Sequence, residues 1–332
     1  MAEEISTSKQ TIVSGARPSG KLHLGNYIGA LQNWKELQES YRCYYFIADW
    51  HALTTGYAEA HEVAGSSREM LLDWLSAGLD PEKAVLFRQS RVKEHAELFL
   101  LLAMITPISW LERCPTFKEQ LRELEGKEIN NYGFLGYPLL QAADILAYRA
   151  DAVPVGEDQL PHLEITREVA RRFNYLYGAT LPEPEALLGK YPLLPGIDSR
   201  KMSKSYDNYI ALSDPPETIR EKVRRMITDP QRVRKNDPGR PEVCTVYRFQ
   251  EIFNPAEAEQ LGEACRTAGI GCVGCKEIAA RKLIEMMAPL HEKRRLLEQQ
   301  PAYLEEVLLE GEKRAGKEAR ATLEAVRGAM GL

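Results

Sequence analysis

Short apolar runs alternate with amphipathic stretches over the first two thirds of the chain. A short apolar run bounded by turn residues predicts a strand, and apolar residues three or four positions apart predict a helix. The predicted strands are Thr11–Val13, Tyr44–Ala48, Ala84–Phe87 and Ala152–Val155. Helices are predicted from near Leu24 and between Val63 and Leu75. This alternation predicts an α/β fold, a Rossmann-like doubly wound parallel sheet covered by helices.

The pattern changes after about residue 212. Strand signals end there, and helical periodicity continues to the C-terminus through Val307, Leu308, Ala315, Ala319, Leu323 and Val326. Before this point, the strongly apolar segment Glu94–Leu111 predicts a helix pair interrupted at Pro107. We therefore predict an α/β domain over residues 1–212 with inserted helices, and a C-terminal α-helical domain over residues 213–332.

Composition and charge narrow the class of protein. The 332 residues are 44% hydrophobic and 27% charged, which predicts a folded core and not a disordered chain. A formal net charge of −5 gives no bulk attraction to nucleic acid or membranes. No run approaches the roughly 18 apolar residues of a membrane span, and the acidic segment Met1–Ile5 does not resemble a signal peptide. We expect a cytoplasmic protein with neither membrane nor DNA as a partner.

One segment is basic despite the acidic total. Ile219–Arg240 contains eight basic and three acidic residues, a local net charge of +5. Such a segment is either a solvated helix face or a surface for nucleic acid phosphates, and its sequence alone supports both equally. The candidate phosphate contacts are Arg224, Arg225, Arg232, Arg234 and Lys235.

The turn Ser14–Asn26 after the first strand contains glycines that let the backbone approach a ligand. His23 and Asn26 share one face at the start of the following helix. The turn lacks a GxGxxG pattern, which disfavours a dehydrogenase, and a plain strand–helix turn remains an equal alternative. A second candidate is the loop Lys201–Ser205, whose two lysines and interleaved serines could surround a pyrophosphate.

Together the two segments resemble a known pair of motifs. His23–Asn26 resembles the HIGH signature of class I aminoacyl-tRNA synthetases, and Lys201–Ser205 is identical to their KMSKS signature. Tyr137–Leu146 and Val153–Gln159 resemble the corresponding segments of tryptophanyl-tRNA synthetases, and the resemblance extends from Thr11 to Leu332.

This resemblance implies the amino-acid site. Asp144 would accept the indole N–H of tryptophan, which is a donor only, and Tyr137 and Gln159 would hold the amino group. Gln141 stands where many bacterial tryptophanyl enzymes have methionine, and the spacing Gln-x-x-Asp also occurs in tyrosyl enzymes. Tyrosine is therefore the alternative substrate. His51 matches a position near the active site, but a lone histidine after a strand is more often structural.

The resemblance also implies the reaction. Tryptophan and ATP would give tryptophanyl-adenylate, and the aminoacyl group would pass to tRNA(Trp), with Mg²⁺ bound through ATP oxygens. His23, Lys201 and Lys204 would be catalytic. ATP would contact Arg17, Pro18, Ser19, His23, Gly25, Asn26, Gly156, Glu157, Asp158, Lys201, Met202, Ser203, Lys204 and Ser205. Arg17 departs from the glutamine common in this family.

The same resemblance assigns partners and domains. Similar enzymes are homodimers, with a catalytic domain here matching residues 1–212 and a tRNA anticodon-binding domain matching residues 213–332. A regulatory nucleotide-binding paralogue that no longer charges tRNA is the alternative from another functional class.

Four of the six cysteines, Cys244, Cys265, Cys272 and Cys275, lie close together in the sequence. In a reducing compartment such a cluster predicts a metal site, and four thiolates can bind Zn²⁺ or a four-iron cluster. The spacing resembles that of a subset of tryptophanyl-tRNA synthetases with a [4Fe–4S] cluster, although the first spacer is slightly shorter here. The resemblance therefore favours [4Fe–4S] over zinc, with four free buried cysteines as the remaining alternative. Cys43 and Cys114 are expected to be ordinary core thiols.

Overall fold

The computed structural model of the protein describes residues 9–115, 117–118, 131–189 and 194–332. The chain forms two compact units. The first unit comprises Met1–Gly20, Asn33–Lys190 and Gln300–Leu332, and the second comprises Lys21–Gln32 and Tyr191–Gln299. No helix among the described residues has the length and apolar character needed to cross a membrane.

The first unit is built on a five-stranded sheet in the order β3-β2-β1-β4-β5, in which every paired strand is parallel. The strands are β1 (Thr11–Ala16), β2 (Arg42–Ile47), β3 (Ala84–Arg88), β4 (Ala152–Val155) and β5 (Glu185–Leu188). The order places β1 in the centre and extends the sheet to both sides, as in a doubly wound fold. The predicted α/β class is confirmed, and β5 is a strand that the sequence pattern did not predict.

The described residues of the two units also form helices. They are α1 (Leu24–Asn26), α2 (Gln32–Ser40), α3 (Asp49–Gly56), α4 (Ala60–Ala77), α5 (Glu94–Ala103), α6 (Ile108–Glu112), α7 (Tyr132–Leu146), α8 (Leu160–Tyr177), α9 (Pro216–Arg225), α10 (Thr245–Phe253), α11 (Pro255–Arg266), α12 (Cys272–Glu298) and α13 (Pro301–Met330). A π-helical segment, Tyr27–Leu31, joins α1 to α2. The predicted interruption at Pro107 is confirmed, since this residue is the N-cap of α6.

The core of the first unit lies between the sheet and its helices. Val13, Phe46 and Phe87 of the sheet are buried together with Leu146 of α7 and Phe173 of α8. The C-terminal helix α13 packs within this unit against β3 and α5. In the second unit, α9 and α11 pack against α12 and α10, respectively, and α10 also contacts α12. The predicted helical character after residue 212 is confirmed by α9–α13.

Candidate active site

The predicted amino-acid site lies in the first unit on one face of α7. Tyr137, Gln141 and Asp144 follow at intervals of four and three residues, which places them on the same side of a helix. Tyr137 is buried, and its hydroxyl group lies 2.9 Å from Nε2 of His162 in α8. The structure therefore brings these three predicted residues together.

Asp144 is completely buried, and its carboxylate accepts hydrogen bonds from three other side chains. His51 Nε2 lies 2.8 Å from Oδ2, and His95 Nδ1 lies 2.6 Å from Oδ1. Gln89 Nε2 donates to both carboxylate oxygens, at 2.7 and 2.9 Å. Burial raises the pKa of a carboxyl group, but the hydrogen bonds from His51 and His95 hold the pKa of Asp144 below its ordinary value. The carboxylate is therefore ionised at neutral pH.

The donors reach Asp144 from separate parts of the chain. His51 lies in α3, directly after β2, whereas Gln89 follows β3 and His95 lies in α5. His95 has a second buried partner, because its Nε2 lies 2.6 Å from the hydroxyl of Tyr148. Sequence reasoning missed Gln89, His95 and Tyr148, since no local motif marks them, and it interpreted His51 as structural.

The segment after β4 carries the other predicted contacts of this unit. Gly156 precedes a short 3₁₀ turn, Glu157–Gln159, and Gln159 Nε2 donates to Asp158 Oδ2 at 3.1 Å. A Cβ on Gly156 would lie 2.6 Å from Asp158 Oδ1, so a glycine is needed for this carboxylate to fold back over the turn. Arg17, Pro18 and Ser19 follow β1 directly, at the carboxyl edge of the sheet where ligands of this fold bind.

His23 caps the helix of the first signature in the second unit. Its Nδ1 accepts a hydrogen bond from the backbone N–H of Asn26 at 3.2 Å, and Asn26 Oδ1 accepts one from the backbone N–H of His23 at 3.1 Å. This reciprocal capping box fixes both side chains at the helix start. Because Nδ1 accepts, the ring proton of neutral His23 is on Nε2.

Two effects keep His23 neutral. Burial and the nearby Lys204 ammonium lower the pKa of His23 to about 4. Gly25 leaves room for this ring, because a Cβ there would lie 3.0 Å from His23 Nδ1 and 3.5 Å from the Cβ of Met202. His23 is therefore suited to donate a hydrogen bond to an anion, and not to act as an acid.

Backbone hydrogen bonds join the first signature to the segment that follows the second one. The amide of Leu24 donates to the carbonyl of Ile210 at 2.9 Å, and the amide of Leu212 donates to that of Leu22 at 2.8 Å. His23 and Ala211 form an antiparallel bridge between these bonds. The segment that follows Lys201–Ser205 is thereby fixed beside His23.

The second signature is a compact loop organised by Asn208, which sequence reasoning also missed. Asn208 Oδ1 accepts the backbone N–H of Ser203 at 2.8 Å, and Nδ2 donates to the carbonyl of Lys201 at 3.1 Å. Met202 is buried, Lys201 is exposed, and Lys204 begins a 3₁₀ turn. Of Ser205, only the backbone is among the described atoms.

The four clustered cysteines lie at helix ends in the second unit, half-buried and unpaired. Cys244 precedes α10, Cys265 is near the end of α11, and Cys272 and Cys275 begin α12. Burial, together with the three neighbouring thiols, raises the pKa of Cys275 to about 11. Across the residues that the structure describes, no three His, Cys, Asp or Glu side chains are grouped to hold a metal ion. The predicted metal site is thus not confirmed. Cys43 and Cys114 are buried.

One guanidinium group and one side-chain amide donate toward thiols of these four cysteines. Arg232 Nη1 lies 3.5 Å from Cys265 Sγ, and Gln250 Nε2 lies 3.7 Å from Cys275 Sγ. Arg232 Nη2 is held by the carbonyl of Ile270 at 2.8 Å. The guanidinium of Arg232 is therefore turned toward the protein, unlike the exposed side chains of the other predicted phosphate contacts, Arg224, Arg225, Arg234 and Lys235.

Known proteins share both the sequence and the fold. A family described as tRNA synthetases class I (W and Y) matches residues 6–288. A tryptophan–tRNA ligase of Thermotoga maritima is 51% identical over 97% of this chain and 99% of the relative. A tryptophan–tRNA ligase of Aquifex aeolicus is 46% identical over 97% of this chain and 99% of the relative. The tryptophanyl-tRNA synthetase of Campylobacter jejuni, solved with ADP and tryptophan, superposes with a TM-score of 0.89 at 31% identity, covering 97% of this chain and 100% of that chain.

Proposed function

This chain belongs to the class I tRNA synthetases of the tryptophan and tyrosine group, and from that membership we propose how its residues carry out tryptophan–tRNA ligase activity. The substrates are L-tryptophan, ATP with Mg²⁺, and tRNA(Trp). The tryptophan carboxylate attacks the α-phosphorus of ATP, the bond to the bridging oxygen breaks, and pyrophosphate leaves. A ribose hydroxyl at the end of the tRNA then takes the acyl group from the adenylate and AMP is released.

Asp144 is our proposed acceptor for the indole N–H. Its buried, ionised carboxylate suits a ring nitrogen that can only donate, and a site built on that bond disfavours phenylalanine strongly. Tyr137 and Gln159 would hold the amino group, and Gln141 would line the same helix face. Tryptophan is favoured over tyrosine because the relatives with 46% and 51% identity are tryptophan–tRNA ligases.

The backbone pairing of His23 with the segment after the second signature carries the proposal for ATP. Since His23 and the segment after Lys204 are held side by side, both can act on one triphosphate. Neutral His23 would donate from Nε2 to a phosphate oxygen, and Lys201 and Lys204 would stabilise the charge of the leaving pyrophosphate. Gly25 and Asn26 would bring backbone close to the phosphates, and Met202, Ser203 and Ser205 would complete the loop. Gly156, Glu157 and Asp158, with Arg17, Pro18 and Ser19, would contact the nucleoside side of ATP.

Pyrophosphate exchange with tryptophan and tyrosine side by side tests the activation step. We expect exchange with tryptophan and a loss of at least tenfold with tyrosine, followed by charging of tRNA(Trp). Equal exchange with tyrosine would contradict the substrate assignment. Exchange without any charging would instead identify the regulatory paralogue.

We propose that Cys244, Cys265, Cys272 and Cys275 hold a [4Fe–4S] cluster. A zinc ion needs four thiolates within about 2.3 Å of one point. A four-iron cluster binds each thiolate to a different iron, so close neighbours that do not converge still suit it. The other three thiols lie near enough to raise the pKa of Cys275, and the N–H donors of Arg232 and Gln250 point at two of the sulfurs, as protein donors do around such clusters.

Analysis of anaerobically purified protein tests this assignment. We expect absorption near ~400 nm from the iron–thiolate chromophore and about four irons and four sulfides per chain. Cys272→Ala should remove both, whereas Cys43→Ala should leave them. Stoichiometric zinc without iron would overturn the assignment.

We propose a homodimer formed through exposed apolar side chains of the first unit. Leu100, Met104 and Ile108 follow one another at intervals of four residues and are 52%, 70% and 62% exposed. Tyr132 at the start of α7 is 68% exposed. Several large, exposed apolar side chains within one short segment are typical of subunit contacts. Light scattering should report a dimer that Met104→Glu dissociates, while Tyr175→Glu, at a more exposed site on α8, should leave it intact.

We also assign anticodon recognition to the helical region 213–332, through the part of it that belongs to the second unit, residues 213–299. The basic residues Arg224, Arg225, Arg234 and Lys235 support this assignment because they are exposed in α9 and the loop after it. Since tRNA charging supplies ribosomes, we place the protein in the cytoplasm.

A further inference from the structure

We propose that His51 is an exchangeable donor at Asp144, displaced when the indole N–H binds, while Gln89 and the pair His95–Tyr148 hold the carboxylate in place. The inference rests on the proposed role of Asp144 as the indole acceptor. It assigns positioning residues for tryptophan specificity among side chains that the sequence motifs do not contain.

The carboxylate of Asp144 has no spare acceptor site. Two carboxylate oxygens offer about four lone-pair positions. Oδ1 accepts from His95 and Gln89 at 2.6 and 2.7 Å, and Oδ2 accepts from His51 and Gln89 at 2.8 and 2.9 Å. A fifth hydrogen bond, such as one from an indole N–H, must therefore replace one of these four. Because the carboxylate is completely buried, water cannot compensate a bond that is lost there.

His51 is the donor that can leave. Its side chain is 11% exposed, whereas those of His95 and Asp144 are fully buried, and Gln89 has no exposed surface. His51 also lies in α3 directly after β2, at the edge of the sheet where a ligand enters. Rotating its ring outward opens Oδ2 to an indole N–H and leaves the other three contacts intact.

Tyr148 and His95 fix the remaining geometry. The acceptor Asp144 requires a proton on His95 Nδ1, so Nε2 accepts from the Tyr148 hydroxyl at 2.6 Å when the ring is neutral. Tyr148 is itself immobilised by stacking on Tyr44, with 4.5 Å between the ring centroids. A fixed chain Tyr148–His95–Asp144 keeps one carboxylate oxygen occupied, so the other is presented in a constant direction.

The test compares tryptophan with its isostere in which sulfur replaces the ring N–H. Pyrophosphate exchange gives kcat and KM for both amino acids and KM for ATP. Wild type should prefer tryptophan by roughly 10- to 100-fold, the contribution of a hydrogen bond to a charged group. Tyr148→Phe should raise KM for tryptophan roughly threefold or more, with KM for the isostere and for ATP unchanged.

Variants of the two histidines separate positioning from folding. His95→Leu should abolish most of the preference for tryptophan, and His95→Asn should restore it, because the Asn amide can replace the Nδ1 donor. His51→Ala should leave KM for tryptophan unchanged or lower, since the indole no longer competes with a resident donor. Tyr44→Phe is the matched control, because Tyr44 is a buried tyrosine that stacks on Tyr148 and has no described contact with Asp144 or His95. It should leave the preference for tryptophan over its isostere unchanged.

Three outcomes would overturn the inference. They are a preference that survives both Tyr148→Phe and His95→Leu, KM values that rise equally for both amino acids and ATP, and a tenfold higher KM for tryptophan in His51→Ala. Failure of the proposed function looks different, because wild type would then use the isostere as well as tryptophan.

Discussion

A neutral histidine at a helix start explains why the first signature has its residue types. His23 must accept the amide of Asn26 to cap the helix, so its ring carries one proton, on Nε2. A charged ring would lose this cap and would face Lys204, which helps to lower its pKa to about 4. The hydrogen bond from the Asn26 amide to His23 Nδ1 therefore caps the helix, favours the neutral ring and leaves Nε2 as its donor.

This arrangement makes stability depend on pH. The pKa of His23 is about 4 in the folded protein and ordinarily about 6.5, so between these values only the unfolded chain binds the proton. The contribution is complete above pH ~6.5 and is lost as the pH falls, by about 1.4 kcal/mol per pH unit. His23→Asn keeps a capping acceptor without this proton, so its unfolding free energy in urea should fall less steeply from pH 6.5 to 5.

The exposed residue His61 provides the control. His61→Asn should keep the pH slope of wild type in the same urea titrations. A slope for His23→Asn equal to that of wild type would show that His23 is protonated in the folded protein.

Lys204 is the residue on which the activation step depends most in our proposal. Lys204→Ala should lower tryptophan-dependent pyrophosphate exchange at least tenfold, the effect of losing about 1.4 kcal/mol of transition-state stabilisation. Lys317→Ala, a lysine in α13, should leave the rate unchanged. Unaltered exchange in Lys204→Ala would refute its assigned role.

Residues that act within one short segment could be predicted from the sequence, and residues that meet across the fold could not. His23, Gly25 and Asn26 lie within one turn, so their spacing alone indicates a shared face. Gln89 and His95, in contrast, reach Asp144 from other elements, and their neighbours in sequence say nothing about that meeting.

At the scale of elements, the C-terminal helix approaches the sheet very closely. α13 packs on β3, and a Cβ on Gly311 would overlap the backbone carbonyl oxygen of Leu86. Gly311→Ala must push the helix off the strand, so we expect the unfolding free energy to fall by about 2 kcal/mol. Equilibrium urea unfolding measures this difference.

Gly316 of the same helix is the matched control, because a Cβ there meets no atom within 4 Å. Gly316→Ala should raise the unfolding free energy by roughly 0.5 kcal/mol through its better helix propensity. If both alanine variants were equally stable, the close approach of α13 to β3 would be refuted.

Hydrophobic patterning predicted the strands that contain a run of apolar residues and missed the one that does not. β1–β4 are apolar runs with buried side chains, whereas β5 is a four-residue edge strand with two exposed and two half-buried positions. Such a strand has no run to detect, and its pairing with β4 depends on the backbone. The periodicity of α13 likewise predicted a helix but not its partner, since an apolar stripe does not specify which surface covers it.

For the whole molecule, the net charge of −5 conceals an uneven distribution. Within the basic segment Ile219–Arg240, some charges are used internally: Arg240 binds Asp229 and holds the pKa of that carboxyl well below its usual range. The guanidinium of Arg232 faces the thiol of Cys265. What remains exposed is a smaller set that includes Arg234 and Lys235. This subset, and not the total, determines attraction to a polyanion.

Reversing those two charges should therefore affect tRNA alone. Arg234→Glu with Lys235→Glu replaces attraction by repulsion at a phosphate surface, so KM for tRNA(Trp) should rise at least tenfold and depend less steeply on salt. Tryptophan-dependent pyrophosphate exchange should stay at the wild-type rate, because the adenylate forms without tRNA. The control Lys313→Glu with Lys317→Glu makes the same change in net charge on α13 and should leave charging intact. Equal loss of exchange and charging in the first variant would show that these residues support the catalytic fold and not the tRNA surface.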